Sequence, residues 1–204
     1  MKAVMSARGL LVAFAAVIAS ATIAVPAPKP HPAMITGGVT SQPIGHYEFC
    51  QKYRDECNIR NRNTAAPHVT EFGWSLVKKI NVDVNKAITP MTDQELFGRD
   101  EVWAYPTDAG DCEDFVLLKR RKLMERGFSA SDLLITVVRK PDGEGHAVLT
   151  LRTSEGDFVL DNLVDEVKLW SETPYTFLKR QATFNTGRWV TIENGTDVMV
   201  GALQ

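Results

Sequence analysis

Near residue 130 the spacing of apolar residues changes from every third or fourth position to every second, and few architectures accommodate both halves of such a chain. Before the change, Val69, Phe72, Leu76, Ile80, Val84 and Ile88 predict an amphipathic helix over residues 68–88. Its other side, with Lys78, Lys79, Asn81, Asp83, Asn85 and Lys86, reads as a solvated face. A second helix is expected from Asp111 to about Arg126, with Gly127 as its stop and Phe115, Val116, Leu118, Leu123 and Met124 as its apolar side. After the change come alternating runs at 133–140, 146–153, 158–163, 175–183 and 188–193, separated by turn signals such as Pro-Asp-Gly-Glu-Gly and Ser-Glu-Gly-Asp. Helices first and antiparallel strands later make the fold class α+β. Residues 89–110, broken by Pro90, Gly98, Pro106 and Gly110, read mostly as loop that carries Trp103 and Tyr105.

The first residues read as an export signal rather than as structure. Lys2 and Arg8 precede the apolar stretch Leu10 to Ile18, followed by the small-residue cleavage patterns Ala19-Ser20-Ala21 and Thr22-Ile23-Ala24. The apolar stretch falls short of the roughly 20 residues a bilayer span needs, although an uncleaved anchor is the alternative. The expected division is a signal peptide at 1–24, a Pro-rich linker at 25–43 and one domain at 44–204, placing the mature chain in the periplasm or outside the cell. The 204 residues carry 23 basic and 25 acidic side chains, and cleavage would remove two of the basic ones. A mildly acidic chain without basic runs is not built for nucleic acid.

Three cysteines in an oxidising compartment imply one pair and one thiol left over. Cys50 and Cys57 would lie about 10 Å apart along a continuous helix, too far for a disulfide, so their pairing predicts a break between them. Cys112 is then the free thiol, either buried and inert or in use.

Gly110-Asp111-Cys112-Glu113-Asp114-Phe115 puts that thiol at the first turn of a helix, where unpaired N–H groups favour a thiolate. Asp111, Glu113 and Asp114 push the other way, so an imidazolium or a bound cation is needed. His146 opens the strand His-Ala-Val-Leu-Thr-Leu-Arg, and Asp161 in Val-Leu-Asp-Asn-Leu could orient its ring. A four-residue turn at Ser154 to Asp157 would place Thr150 opposite Asp161. Asp161 would then share a face with His146 at roughly 13 Å, leaving Asp165 directly opposite the histidine. Both carboxylates remain candidates on this ground.

These residues resemble the bacterial transglutaminase-like cysteine proteinases, a family that includes periplasmic proteases releasing biofilm adhesins. The likeness is carried by Val102-Trp103-Ala104-Tyr105-Pro106, then Gly-Asp-Cys-Glu-Asp-Phe, Gly-His-Ala-Val-Leu and Val-Leu-Asp-Asn-Leu in that order, over about residues 46–193. The resemblance implies a papain-like α+β core with N-terminal helices packed on an antiparallel sheet. It implies Cys112 as nucleophile, His146 as general base and acid, and Asp161 rather than Asp165 as orienter. It also implies calcium held by Asp111 and Glu113, which otherwise read as carboxylates favoured by a helix start. Two or three carboxylates are few for an ion that takes 6–8 oxygens. The chain is short for an adhesin protease, so its substrate need not be an adhesin.

The expected chemistry is acyl transfer through a thioester, with the Cys112 backbone N–H and the Trp103 indole as oxyanion donors, and no cofactor beyond possible calcium. The partner is a protein or peptide substrate. Transfer to an amine, as in transglutaminases, and a non-catalytic periplasmic binding module are the rival readings.

Overall fold

The computed structural model describes residues 32–62 and 65–195. The expected signal peptide and the first part of the linker, 25–31, lie outside them. The linker reading ends too late, because Thr36–Thr40 is a strand, β1, paired antiparallel with the last strand of the sheet. With two glycines in its five residues, Thr-Gly-Gly-Val-Thr carries no apolar alternation, so nothing in the pattern announced an edge strand.

Helix α1 (Ile44–Lys52) follows and ends before a short 3-10 turn, Arg54–Cys57. The change of direction brings the Cys50 and Cys57 Cα atoms to 5.6 Å, and the two are bonded as a disulfide. Helix α2 (Glu71–Ala87) begins at Thr70, whose hydroxyl accepts the Gly73 N–H. Its buried stripe is Val77, Ile80, Asn81 and Val84, while Phe72 stands in solvent. The stripe is thus rotated from the expected one, and Asn81 is wholly enclosed.

The expected loop at 89–110 has more structure than its breakers suggested. It holds β2 (Thr89–Pro90), the short helix α3 (Asp93–Phe97) with a Thr92/Glu95 capping box, and β3 (Ala109–Gly110) parallel to β2. Helix α4 runs Cys112–Met124 and buries Phe115, Val116, Leu117 and Leu123, together with Lys119 and Arg120.

The remaining strands are β4 (Leu133–Arg139), β5 (Gly145–Thr153), β6 (Gly156–Leu160), β7 (Lys168–Leu169), β8 (Thr176–Ala182) and β9 (Asn185–Ile192). With β1 they form an antiparallel sheet in the order β1-β9-β8-β4-β5-β6-β7. Ala147, Leu149 and Leu151 of β5 join α2 and α4 in one core, whereas Val148 belongs to a second cluster with Val159, Trp170, Tyr175 and Phe177. This is a mixed helix and antiparallel-sheet fold with α4 packed across β5. Among the described residues no helix is long and apolar enough to cross a membrane.

Candidate active site

The N-terminal end of α4 meets the beginning of β5 at a cleft of about 700 Å³ whose walls include Trp103, Cys112, His146 and Ala147. Cys112 is the first residue of α4, is half-buried and is the one free cysteine in the chain. Its Sγ is hydrogen-bonded with the Ala147 backbone, so the sulfur lies against the residue that follows His146 in β5.

His146 is buried, and its Nε2 lies 2.9 Å from Asp161 Oδ1. The hairpin turn explains how they meet. Ser154 and Glu155 alone make the turn, with Thr153 opposite Gly156 at φ 137°. Leu149 therefore faces Leu160, and continuing that register places Asp161 beside Val148, two residues from His146 rather than four. The four-residue turn expected from the sequence is replaced by a tighter one, and the expected gap closes without a bulge. Asp165 is not the partner of His146; its carboxylate accepts from Asn85 Nδ2 at 2.9 Å.

Asp161 is held on every side. Tyr175 Oη donates to its Oδ2, and the Leu163 N–H donates to Oδ1 at 3.0 Å. Burial raises its proton affinity, but the hydrogen bonds from His146 and Tyr175 outweigh that and hold the carboxyl below its ordinary range. The loop beyond it is clamped by α2. Asn85 Nδ2 donates to the Asp161 carbonyl at 3.0 Å, and Asn81 Nδ2 donates to the Asp165 carbonyl at 2.9 Å. In the sequence both asparagines read as part of the solvated face of this helix. Their i, i+4 spacing is visible in the sequence, but which face turns inward is decided by packing. Lys119 of α4 is buried near Asp161 and Asp165, and burial lowers its pKa to about 7.

Trp103 is buried, with its Nε1 free of hydrogen-bond partners among the described residues. Its ring sits edge-on to His46 at 5.5 Å. The neighbouring backbone is pinned by two carboxylates. The Val102 N–H donates to Asp93 Oδ2, and the Ala104 N–H donates to Asp114 Oδ1 at 2.8 Å. A Cβ on Gly45 would come within 2.2 Å of Trp103 Cδ1, so the first turn of α1 must be bare there for the indole to reach the cleft.

Beside the thiol lies a cluster of three acids. Oxygens of Asp93, Asp111 and Glu113 all fall within 4.8 Å of one another, and Asp93 was not among the expected ligands. Asp93 Oδ1 and Asp111 Oδ1 are buried and unpartnered among the described residues. Burial, then the charges of Glu113 and Asp93, raise the pKa of Asp111 to about 8. Burial likewise raises Asp93 and Glu113. The Cys112 thiol donates to Glu113 Oε2 at 2.9 Å. Burial pushes the thiol well above its usual range, and the Glu113 charge pushes the same way. An all-oxygen set with orphaned lone pairs fits a hard divalent cation such as calcium, with the remaining oxygens supplied by water or backbone.

Residues 36–197 match the family described as bacterial transglutaminase-like cysteine proteinases. The chain belongs to that family. As a bacterial transglutaminase-like cysteine proteinase, it is a cysteine peptidase whose substrates are proteins or peptides. Among curated proteins none matches it in sequence. Solved structures similar to this family member are those of LapG from Legionella pneumophila. The EGTA-treated form is 24% identical, with a TM-score of 0.50 over 60% of this chain and 69% of that one. The calcium-bound form is 23% identical, with a TM-score of 0.49 over 62% and 75%. At this identity the likeness of the EGTA-treated form concerns the fold.

Proposed function

We propose that the protein is an exported peptidase in which Cys112, His146 and Asp161 carry the reaction. The observation that supports this most is the buried His146–Asp161 hydrogen bond at 2.9 Å, on a cleft whose wall also carries the chain's free thiol at a helix start. With Nε2 committed to Asp161, Nδ1 is the nitrogen that takes the proton from Sγ. The thiolate attacks the scissile carbonyl, and the backbone N–H of Cys112 and the Trp103 indole N–H receive the oxyanion. The C–N bond breaks as His146 returns the proton to the leaving amine, which leaves an acyl thioester on Cys112. His146 then takes a proton from water, the hydroxyl adds to the thioester, and the C–S bond breaks to release the acid and restore the thiol.

Asp93, Asp111 and Glu113 would hold a calcium ion, which supplies the positive charge that the acid cluster beside the thiol calls for. Glu113, once turned to such an ion, no longer accepts the Cys112 hydrogen. Hydrolysis is preferred to amine transfer because the family is one of proteinases. The disulfide accords with an oxidising compartment outside the cytoplasm. The test is cleavage of a casein-type substrate by the mature protein with and without a primary amine. Fragments absent in Cys112→Ser and His146→Ala support the reading. Amine incorporation without fragments would reassign the reaction to transglutamination, and no covalent chemistry at all would favour a binding module.

A further inference from the structure

A second cleft, of about 430 Å³, opens over the Cys50–Cys57 disulfide, and among the described residues no acidic one lines it. Three arginines do: Arg54, Arg60 and Arg188. All three are exposed, and among the described residues none forms an ion pair; Arg62, Arg126 and Arg139 also lack one, but only these three are gathered in one cleft. Unneutralised guanidiniums gathered in a concave polar surface make a receptor for carboxylates, which they can grip in paired hydrogen bonds.

The backbone beneath them is fixed. Arg60 bridges to Asn185 of β9, flanked by Ile59 N–H to Thr186 Oγ1 at 3.2 Å and Asn61 N–H to the Phe184 carbonyl at 3.2 Å. Arg188 lies in β9 itself, and the disulfide ties the turn that carries Arg54 back to α1. Such a surface binds with little ordering cost to its backbone.

Helix α1 joins this cleft to the catalytic one. Ile44 lines the catalytic cleft; Tyr47 and Gln51, at i+3 and i+7 on the same helix face, line the second. Ile44 is 60% and Tyr47 52% exposed, so an apolar ridge runs from one to the other. From Ile44 to Gln51, both within α1, is about 10 Å at 1.5 Å per helical residue, a span that about three extended residues cover. The catalytic cleft is acidic, with Asp93, Asp100, Glu101, Asp111 and Glu113 in its walls. An acidic stretch of substrate is thus repelled at one end of the ridge and attracted at the other.

We propose that the arginine cleft is an exosite that docks an acidic segment of the protein substrate, on one side of the bond to be cut. This rests on the peptidase reading above, but its test does not use activity. Binding of a fluorescein-labelled hexaglutamate peptide to Cys112→Ser protein is followed by anisotropy, with hexalysine as control and inorganic phosphate as competitor. Hexaglutamate should bind, hexalysine should not. Arg54→Gln/Arg60→Gln/Arg188→Gln in the same background should weaken binding roughly tenfold or more, with each single variant contributing part of the loss. Undiminished binding in the folded triple variant would overturn the proposal. So would single variants that all bind like the parent, hexaglutamate that binds no better than hexalysine, or phosphate that occupies the cleft while the peptide does not. Because the protein tested lacks its thiol, loss of this result and loss of peptidase activity in the wild type are separate outcomes.

Discussion

His46 offers a quantitative handle on the scaffold that supports the cleft. Its ring is 1% exposed, packed edge-on to Trp103 and Trp189 at 5.5 and 5.3 Å, and accepts the Trp189 indole N–H at 3.2 Å. Burial, reinforced by the Arg120 charge, lowers its pKa from 6.5 to about 3. The unfolded chain therefore takes up a proton below about pH 6.5 while the folded one stays neutral until about pH 3. Stability from this histidine is fully present above pH 6.5 and erodes as the pH falls towards 3. Each tenfold change in proton affinity is worth about 1.4 kcal/mol, so the whole effect is on the order of 5 kcal/mol. Asp111, at about 8, and Asp114, at about 7, act with the opposite sign, because acids with raised pKa stabilise the fold as the pH falls. Both remain in His46→Gln, so the difference between wild type and variant isolates the imidazole. Urea unfolding of both proteins between about pH 6.5 and 4.5 should show the wild type losing about 2–3 kcal/mol more than the variant over that range. Parallel pH dependences would refute the idea that a neutral, desolvated His46 underlies Trp103.

Three further outcomes follow from named contacts. Asn85→Ala removes two hydrogen bonds to the Asp161 loop, so kcat should fall with KM little changed and the protein should lose about 1–3 kcal/mol of stability; an unchanged kcat would remove Asn85 from the positioning of Asp161. Gly45→Ala forces the Trp103 indole from its place while favouring helix α1, so activity should drop about tenfold or more in a folded protein, as rate measurements and circular dichroism would show. Calcium in excess should raise the melting temperature of the wild type by several degrees, reversibly with EGTA, and leave Asp93→Ala unmoved; equal shifts in both would place the ion elsewhere.

The elements with strong local signals were legible in the residues. The helix that starts at Cys112 and the β5–β6 hairpin follow from spacing and turn chemistry, and the break between Cys50 and Cys57 from the expectation that the two are paired. What escaped was set by contacts between distant segments. Strand β1 has no apolar alternation and exists because β9 offers it an edge. Asn81 and Asn85 look like surface residues until the Asp161–Asp165 loop arrives to take their N–H groups. Asp93 is one acid among many in the sequence, and only the tertiary fold brings its carboxylate within 4.8 Å of those of Asp111 and Glu113. The distance from His146 to Asp161 turned on whether the hairpin used two or four residues, and Ser-Glu-Gly-Asp permits both. Gly156 at φ 137° goes with the tight version.

The central claim is that the Cys112 sulfur is made reactive by His146, itself oriented by Asp161. The most direct measurement is the second-order rate of Cys112 alkylation by iodoacetamide near pH 6 with calcium present. An ordinary thiol with a pKa near 8.5 is about 0.3% ionised there, so an imidazole-paired thiolate should react roughly a hundredfold faster than a free cysteine. The account predicts that rate in the wild type, its collapse in His146→Ala, and an intermediate value in Asp161→Asn. A slow rate that none of these substitutions alters would contradict it.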